Sequence, residues 1–136
     1  MIIDKNSDGI KLKKVFGKYQ YVYRDPIETY EDILINLDYP IYFENWITTK
    51  RRIQSNVTIE AYGDIISEYD IDVAGCIIAG GGIVAGADIV ADDDITAKEY
   101  IEFGSYINAG GDITAGGRIG NSDILWRKER KYEENM

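Results

Sequence analysis

Isoleucine recurs at every sixth position through the second half of the chain. The series runs without an insertion for twelve hexads, from Ile53 to Ile119. The position two residues after each Ile is mostly small, and the next two positions favour glycine, as in Gly80-Gly81 and Gly110-Gly111. The consensus is Ile-x-Ala-Gly-Gly-Asp. Because a period of six does not fit the helical turn, and glycine is unfavourable inside helices, the pattern excludes an α-helical repeat.

The hexad predicts a triangular parallel β-helix. Positions i and i+2 of a strand point the same way, so Ile and the small residue share the interior while the residue between them faces outward. The following Gly, Asp or Asn residues adopt corner conformations that other residues resist. Three sides make a coil of about 18 residues, and coils stack at the strand spacing of roughly 4.8 Å. We therefore predict a mainly β fold with about four coils, in a column about 19 Å tall.

The Gly-Asp-Ile-x-Ala rhythm, as around Ile113-Thr114-Ala115, resembles the repeat of bactofilins. Bactofilins are polymer-forming bacterial cytoskeletal proteins with a right-handed triangular β-helix. The rhythm is also similar to that of short repeat proteins of phages and mobile elements. The resemblance covers residues 53–121 and implies, in the bactofilin case, a scaffold that assembles through its coil.

Residues 1–50 lack the repeat and predict a small α+β segment that caps one end of the coil. Two strands, Ile10–Phe16 and Lys18–Tyr23, are expected to form a hairpin around Gly17. A cap at this end would cover exposed strand edges, which otherwise invite uncontrolled pairing.

A helix is expected between the hairpin and the coil. Asp25 fits the N-cap, Pro26 the first helical position and Glu28 the third, and the predicted helix runs to about Asp38. Its apolar stripe would consist of Ile27, Tyr30, Ile33, Leu34 and Leu37. The segment Ile41–Ile47 is expected to be a strand.

The predicted organisation therefore has three parts: the cap at residues 1–50, the β-helix at 51–125 and a charged tail at 126–136. Ile124, Leu125 and Trp126 are expected to plug the second end of the coil. Two covered ends argue against a polymer, because a filament of stacked coils needs bare ends.

The net charge of −9 is concentrated in the repeat. Residues 53–125 hold thirteen Asp/Glu against only Lys98 and Arg118, which gives about −11. Spread over roughly 19 Å, this is near one charge per 1.7 Å, the linear density of duplex DNA. Such a surface does not suit direct binding to nucleic acid or to an anionic membrane, so we expect neither, and it suits a basic partner.

Seven aspartates are the candidate partner-binding residues: Asp70, Asp72, Asp88, Asp92, Asp93, Asp94 and Asp112. With 18 residues per coil, Asp70 would stack under Asp88, and Asp94 under Asp112. One interpretation is a nucleic-acid mimic, and the other is that Asp is a common corner residue whose charge serves solubility. Calcium binding at Asp92–Asp94 is a third interpretation, but the EF-hand spacing is missing.

Three outward positions are apolar where water is expected: Ile66, Ile78 and Val84. Either the N-terminal segment folds over them, or they form the interface of a homodimer or another partner.

The residues of common catalytic sites are missing. The chain has no histidine, and its single cysteine, Cys76, has no basic neighbour to lower its pKa. The glycine-rich corners do not match a phosphate-binding loop. We therefore expect a non-enzymatic protein with no cofactor and no metal. The N-terminus does not resemble a signal peptide, and the lone cysteine fits the bacterial cytoplasm.

Two functional hypotheses follow. The first is an acidic inhibitor or adaptor, such as a phage-encoded anti-defence protein of the anti-CRISPR kind. It would mimic nucleic acid and block the basic cleft of a nucleic-acid-binding protein. The second is a bactofilin-like structural scaffold that self-associates.

Overall fold

The computed structural model describes residues 1–121, which contain nineteen β-strands and no helix. The first three strands are β1 (Ile2–Ile3), β2 (Ile10–Val15) and β3 (Lys18–Tyr23). Each of the remaining strands has three residues: β4 (Ile27–Thr29), β5 (Ile33–Ile35), β6 (Ile41–Phe43), β7 (Ile47–Thr49), β8 (Ile53–Ser55), β9 (Ile59–Ala61), β10 (Ile65–Ser67), β11 (Ile71–Val73), β12 (Ile77–Ala79), β13 (Ile83–Ala85), β14 (Ile89–Ala91), β15 (Ile95–Ala97), β16 (Ile101–Phe103), β17 (Ile107–Ala109), β18 (Ile113–Ala115) and β19 (Ile119–Asn121).

The strands form the three sides of a parallel β-helix. Sheet A has the order β1-β5-β8-β11-β14-β17, sheet B the order β2-β3-β6-β9-β12-β15-β18, and sheet C the order β4-β7-β10-β13-β16-β19. Residues 18 apart are neighbours, so Ile65 pairs with Ile83 and Ile83 with Ile101. The predicted β-helix and its predicted length of 18 residues per turn are thus confirmed.

The interior is filled by the two inward positions of each hexad. The Ile of every hexad from Ile53 to Ile101 is fully buried, and the residue two positions later is buried as well. The middle residue of each strand faces outward. Because full burial of an Ile side chain contributes roughly 1.5–3 kcal/mol, the isoleucine stacks are the main source of stability.

The coil has about six turns, and the prediction of about four was too low. The predicted single strand Ile41–Ile47 is wrong, because this segment contains β6 and the start of β7. Ile41 and Ile47 already follow the six-residue period of Ile53. Upstream, two extra residues in the corner after β5 shift the period. Ile33 therefore pairs with Ile53, twenty residues away, whereas Ile41 pairs with Ile59 at the usual eighteen.

The predicted helix from Pro26 to Asp38 is wrong, because this segment forms β4 and β5. Ile27, Ile33 and Ile35 point into the coil and are buried, whereas Tyr30 of the predicted apolar stripe is 80% exposed. A short amphipathic helix would have buried one stripe only. The two strands instead extend the ladders of the coil, so tertiary burial overrides the local helix-start signals.

The predicted hairpin is present, but a separate α+β cap is not confirmed. Strands β2 and β3 pair antiparallel from Ile10↔Tyr23 to Val15↔Lys18. Strand β3 then pairs in parallel with β6, and β1 pairs with β5, so the N-terminal strands extend the sheets of the coil. The predicted plug at Ile124–Trp126 and the predicted tail lie outside the described residues.

A buried hydrogen bond holds the long corner between β5 and β6. The Tyr21 hydroxyl donates to Asp38 Oδ1 over 2.6 Å. This bond to the carboxylate, together with burial and the negative charge of Asp38, raises the pKa of Tyr21 to about 12. The hairpin and the long corner are thereby joined at the N-terminal end.

Replacement of a stacked isoleucine should destabilise the coil far more than replacement of its outward neighbour. Ile53 is fully buried, so Ile53→Ala should lower the free energy of unfolding by about 2–5 kcal/mol, and Ile53→Val by about 0.5–1.5 kcal/mol. The exposed Gln54 is the matched control, and Gln54→Ala should change the free energy of unfolding by less than about 0.5 kcal/mol. Urea unfolding monitored by circular dichroism measures these differences, and equal losses at both positions would contradict the stacking.

Candidate acidic binding face

The seven candidate aspartates lie on one side of the coil, on sheet A and its two bordering corners. Asp72 is the outward residue of β11, in the middle of sheet A. Asp70 and Asp88 occupy the corner from sheet C, directly before β11 and β14. The corner from sheet A to sheet B holds Asp92, Asp93, Asp94 and Asp112. We call these seven residues the acidic face.

The predicted stacking of corner aspartates is observed, and it has a structural role. The backbone N–H of Asp88 donates to Asp70 Oδ1 over 3.1 Å, and that of Asp112 donates to Asp94 Oδ1 over 2.8 Å. Outside the acidic face, the N–H of Gly82 donates to Asp64 in the same way. A corner carboxylate therefore binds the backbone of the next turn, which explains part of the preference for Asp at this position.

Other polar side chains make the same contact. Thr58 Oγ1 accepts from the N–H of Cys76 over 3.0 Å, and Asp32 Oδ1 accepts from the N–H of Arg52 over 3.2 Å. The bond from Arg52, strengthened by the positive charges of Arg51 and Arg52, holds the pKa of Asp32 below its usual value. The corner contact needs an oxygen acceptor and not a negative charge.

The charges of the acidic face are not neutralised by ion pairs within the described residues. The ion pairs of residues 1–121 join other groups: Met1–Glu31, Arg24–Glu44, Lys50–Glu68, Arg51–Asp32, Arg52–Asp32 and Arg118–Glu102. Lys50, Arg51 and Arg52 lie in the corner from sheet C one turn before Asp70, and Arg118 lies in the corner from sheet B to sheet C. In the described chain, the acidic face therefore presents seven carboxylates without a cationic side chain within 4 Å.

Two shallow grooves run along the acidic face. One has a volume of about 560 Å³ and extends from Leu34 past Asn56 to Asp72 and Asp92. The other, of about 270 Å³, is lined by Asp70, Asp72 and Asp88 and, at its N-terminal side, by Arg52. One oxygen of Asp88, Oδ1, is buried without a hydrogen-bond partner among the described residues. A cationic side chain that entered the smaller groove would place positive charge beside this carboxylate.

The three predicted self-association residues do not share one surface. Ile66 and Val84 are neighbours on sheet C, whereas Ile78 lies on sheet B between Glu60 and Thr96. All three are partly exposed. The N-terminal strands extend the sheet edges and do not form a layer over sheet C. Among residues 1–121, no strand covers the Ile66–Val84 pair.

The described residues contain no group of three or more His, Cys, Asp or Glu side chains arranged to hold a metal ion. Cys76 is a half-buried free thiol at a corner of the coil. None of the described segments is a helix of the length and hydrophobicity needed to cross a membrane.

No family model, curated protein or solved structure matches this chain. The likeness to bactofilins and to phage repeat proteins therefore remains a resemblance of repeat pattern.

Sequence reasoning missed the polar residues at the N-terminal end of the acidic face. Asn36 and Asn56 belong to the earlier turns, and Asn56 Nδ2 donates to Asn36 Oδ1 over 3.0 Å. Gln54 is the outward neighbour of Asp72 in the same sheet. The hexads at Ile41 and Ile47 could have revealed the continuing coil. The two-residue insertion concealed the stacking of Asn36 and Asn56.

Substitutions at Asp70 should separate its structural role from its charge. Asp70→Ala removes the acceptor of the Asp88 N–H and should lower the free energy of unfolding by about 1–3 kcal/mol. Asp70→Asn keeps an oxygen acceptor, so it should lower the free energy of unfolding by clearly less than Asp70→Ala does. Denaturant unfolding of the two variants provides the comparison, and equal destabilisation would show that the charge itself is required.

Proposed function

We propose that the protein is a non-enzymatic binding protein whose acidic face occupies a basic cleft of a nucleic-acid-binding protein. The observation that carries this proposal is the gathering of seven carboxylates without ion-pair partners onto one side of a rigid coil. The biological role that we propose for such a protein is that of a phage-encoded anti-defence inhibitor, as expected from the sequence.

The spacing of the charges supports mimicry of a polyanion. The acidic face extends over little more than two turns, from Asp70 and Asp72 to Asp112, which is roughly 10–12 Å along the axis. Its linear charge density is therefore at least that of duplex DNA. A cleft that binds phosphates through Lys and Arg side chains could bind these carboxylates through the same groups.

The distribution of charge argues against solubility as its only purpose. Solubility requires net charge but not a particular place for it. Within the described residues, ion pairs are made by acidic side chains outside the acidic face, as in the pairs Lys50–Glu68 and Arg118–Glu102. The acidic face is left without such pairs. Its charges are also fixed by the coil, so little conformational entropy is lost when a partner binds.

Neutralisation of exposed aspartates should weaken binding without unfolding the coil. Asp72, Asp92 and Asp93 are exposed and their carboxylates accept no hydrogen bond from the next turn, so their joint replacement by Asn should preserve stability. An exposed ion pair contributes up to about 1 kcal/mol, so loss of three should weaken binding by roughly tenfold to a hundredfold. The matched control replaces Glu28, Glu60 and Glu99 by Gln, with the same charge change on other surfaces.

The measurement is a pull-down from bacterial lysate at low and high salt, followed by titration of the identified partner with both triple variants. We expect a basic nucleic-acid-binding protein that elutes at high salt and is displaced by competing DNA or RNA. A partner that binds the aspartate variant and the control equally would refute the proposal.

A self-associating scaffold is the second candidate, and the partly exposed Ile66–Val84 pair on sheet C favours it. Contact between two copies across sheet C would bury this pair. Val84→Glu should then convert oligomers to monomers, while Thr114→Glu on sheet B should leave them intact. Light scattering coupled to size-exclusion chromatography measures the mass, and a wild-type monomer at high concentration would exclude this function.

A further inference from the structure

The β2–β3 hairpin carries a basic surface at the N-terminal end of the coil. Residues Ile10–Tyr23 contain four lysines and no Asp or Glu. Only Tyr21–Tyr23 of β3 pair with β6, so the first half of β3 and the second half of β2 project past the coil. The hairpin tip is therefore accessible from several sides.

Phe16 at the hairpin tip has no evident role in folding. Its side chain is fully exposed, at 102% of the reference area, and its backbone has φ of 50°. The next residue, Gly17, has φ of 81°, so both central turn residues are left-handed. Asn-Gly is favoured in such a turn, whereas a bulky side chain is strained there. A strained and fully exposed aromatic residue suggests that its ring serves a contact with a ligand.

An aromatic groove lies beside the tip. It has a volume of about 560 Å³ and is lined by residues that include Val15, Lys18, Tyr19, Tyr39 and Pro40. The ring centroids of Tyr19 and Tyr39 are 5.2 Å apart. Lys14 Nζ lies 5.6 Å from the centre of the Tyr19 ring. Flat apolar walls and cations are thus combined in one small region.

We infer that the hairpin binds single-stranded nucleic acid. Proteins that bind single strands combine stacking aromatic side chains with cations that follow the phosphates. Phe16 and the Tyr19–Tyr39 groove provide the stacking surfaces, and Lys14 and Lys18 provide the cations. A duplex would not fit, because its base faces are already stacked. An anionic lipid surface would use the lysines but would leave the aromatic groove without a role.

The acidic face is too far away to prevent this contact. Strand β2 is four strand positions from β12 in sheet B, which is about 19 Å. Asp72 lies in the same turn as β12, and this is the turn of the acidic face that is nearest to the hairpin. Interactions between exposed charges are largely screened beyond about 8–10 Å at physiological ionic strength. The expectation that the protein does not bind nucleic acid, which rests on the charge of residues 53–125, therefore does not apply to the hairpin.

Fluorescence anisotropy with labelled oligothymidylate and oligouridylate tests the inference on the full chain. Phe16→Asn removes the ring while supplying a residue that the turn favours, so stability should be unchanged or increased. Loss of one base stack, worth about 1–3 kcal/mol, should weaken binding by roughly fivefold to 150-fold. Tyr30→Ala is the matched control, because Tyr30 is an exposed aromatic residue on another corner and should not affect affinity.

The lysines are tested through the salt dependence of the same titration. Lys14→Ala combined with Lys18→Ala should reduce the slope of log affinity against log salt by about 1.4, because each lost phosphate contact contributes about 0.7.

Three results would overturn the inference: no saturable binding of either oligonucleotide at low salt, unchanged affinity of Phe16→Asn, or binding to phosphatidylglycerol vesicles without binding to oligonucleotides. Since the assay uses no protein partner, its outcome is independent of the function proposed for the acidic face.

Discussion

The backbone hydrogen bonds between successive turns determine almost every other feature of this protein. The N–H of Ile65 donates to the carbonyl of Gly82, and the N–H of Ile83 donates to that of Tyr100, both over 2.9 Å. Repetition of this bond keeps residues 18 apart in register at a spacing of roughly 4.8 Å. Any residue type that recurs with this period therefore becomes a column, whether it is a buried isoleucine or a corner aspartate.

Stacked carboxylates repel each other, and hydrogen bonds from the backbone of the next turn compensate for this repulsion. Two carboxylates one strand spacing apart repel each other, which would favour other residues at the corners. The N–H of the upper residue, however, donates to the carboxylate below, as between Asp88 and Asp70. The coil can therefore hold a dense array of fixed negative charge without ion pairs. This fixed array is the feature on which the proposed mimicry of a nucleic-acid backbone rests.

The two ends of the described coil differ in chemistry. At the N-terminal end the sheet continues into an antiparallel hairpin with lysines and an exposed Phe16. The acidic face lies in later turns, beyond the reach of unscreened electrostatic interaction. The proposed site for a basic protein and the proposed site for an anionic polymer are thus far enough apart to avoid mutual neutralisation. A partner that itself holds nucleic acid could contact both.

The sequence by itself determined the coil, because twelve uninterrupted hexads allow only one register in which every isoleucine faces the interior. That register also placed Asp70 under Asp88 and separated Ile66 from Ile78. Only the tertiary structure decided that residues 26–38 form strands and not a helix. Their helix signals are local, and the burial of Ile27 and Ile33 in the ladders of the coil outweighs them. The tertiary structure alone showed that seven aspartates from several hexads share one side without forming ion pairs among the described residues, since ion pairing depends on side-chain positions that spacing does not specify. The hairpin strands were recognisable from their pattern, but the exposure of Phe16 was not, because it depends on how far the hairpin projects past the coil.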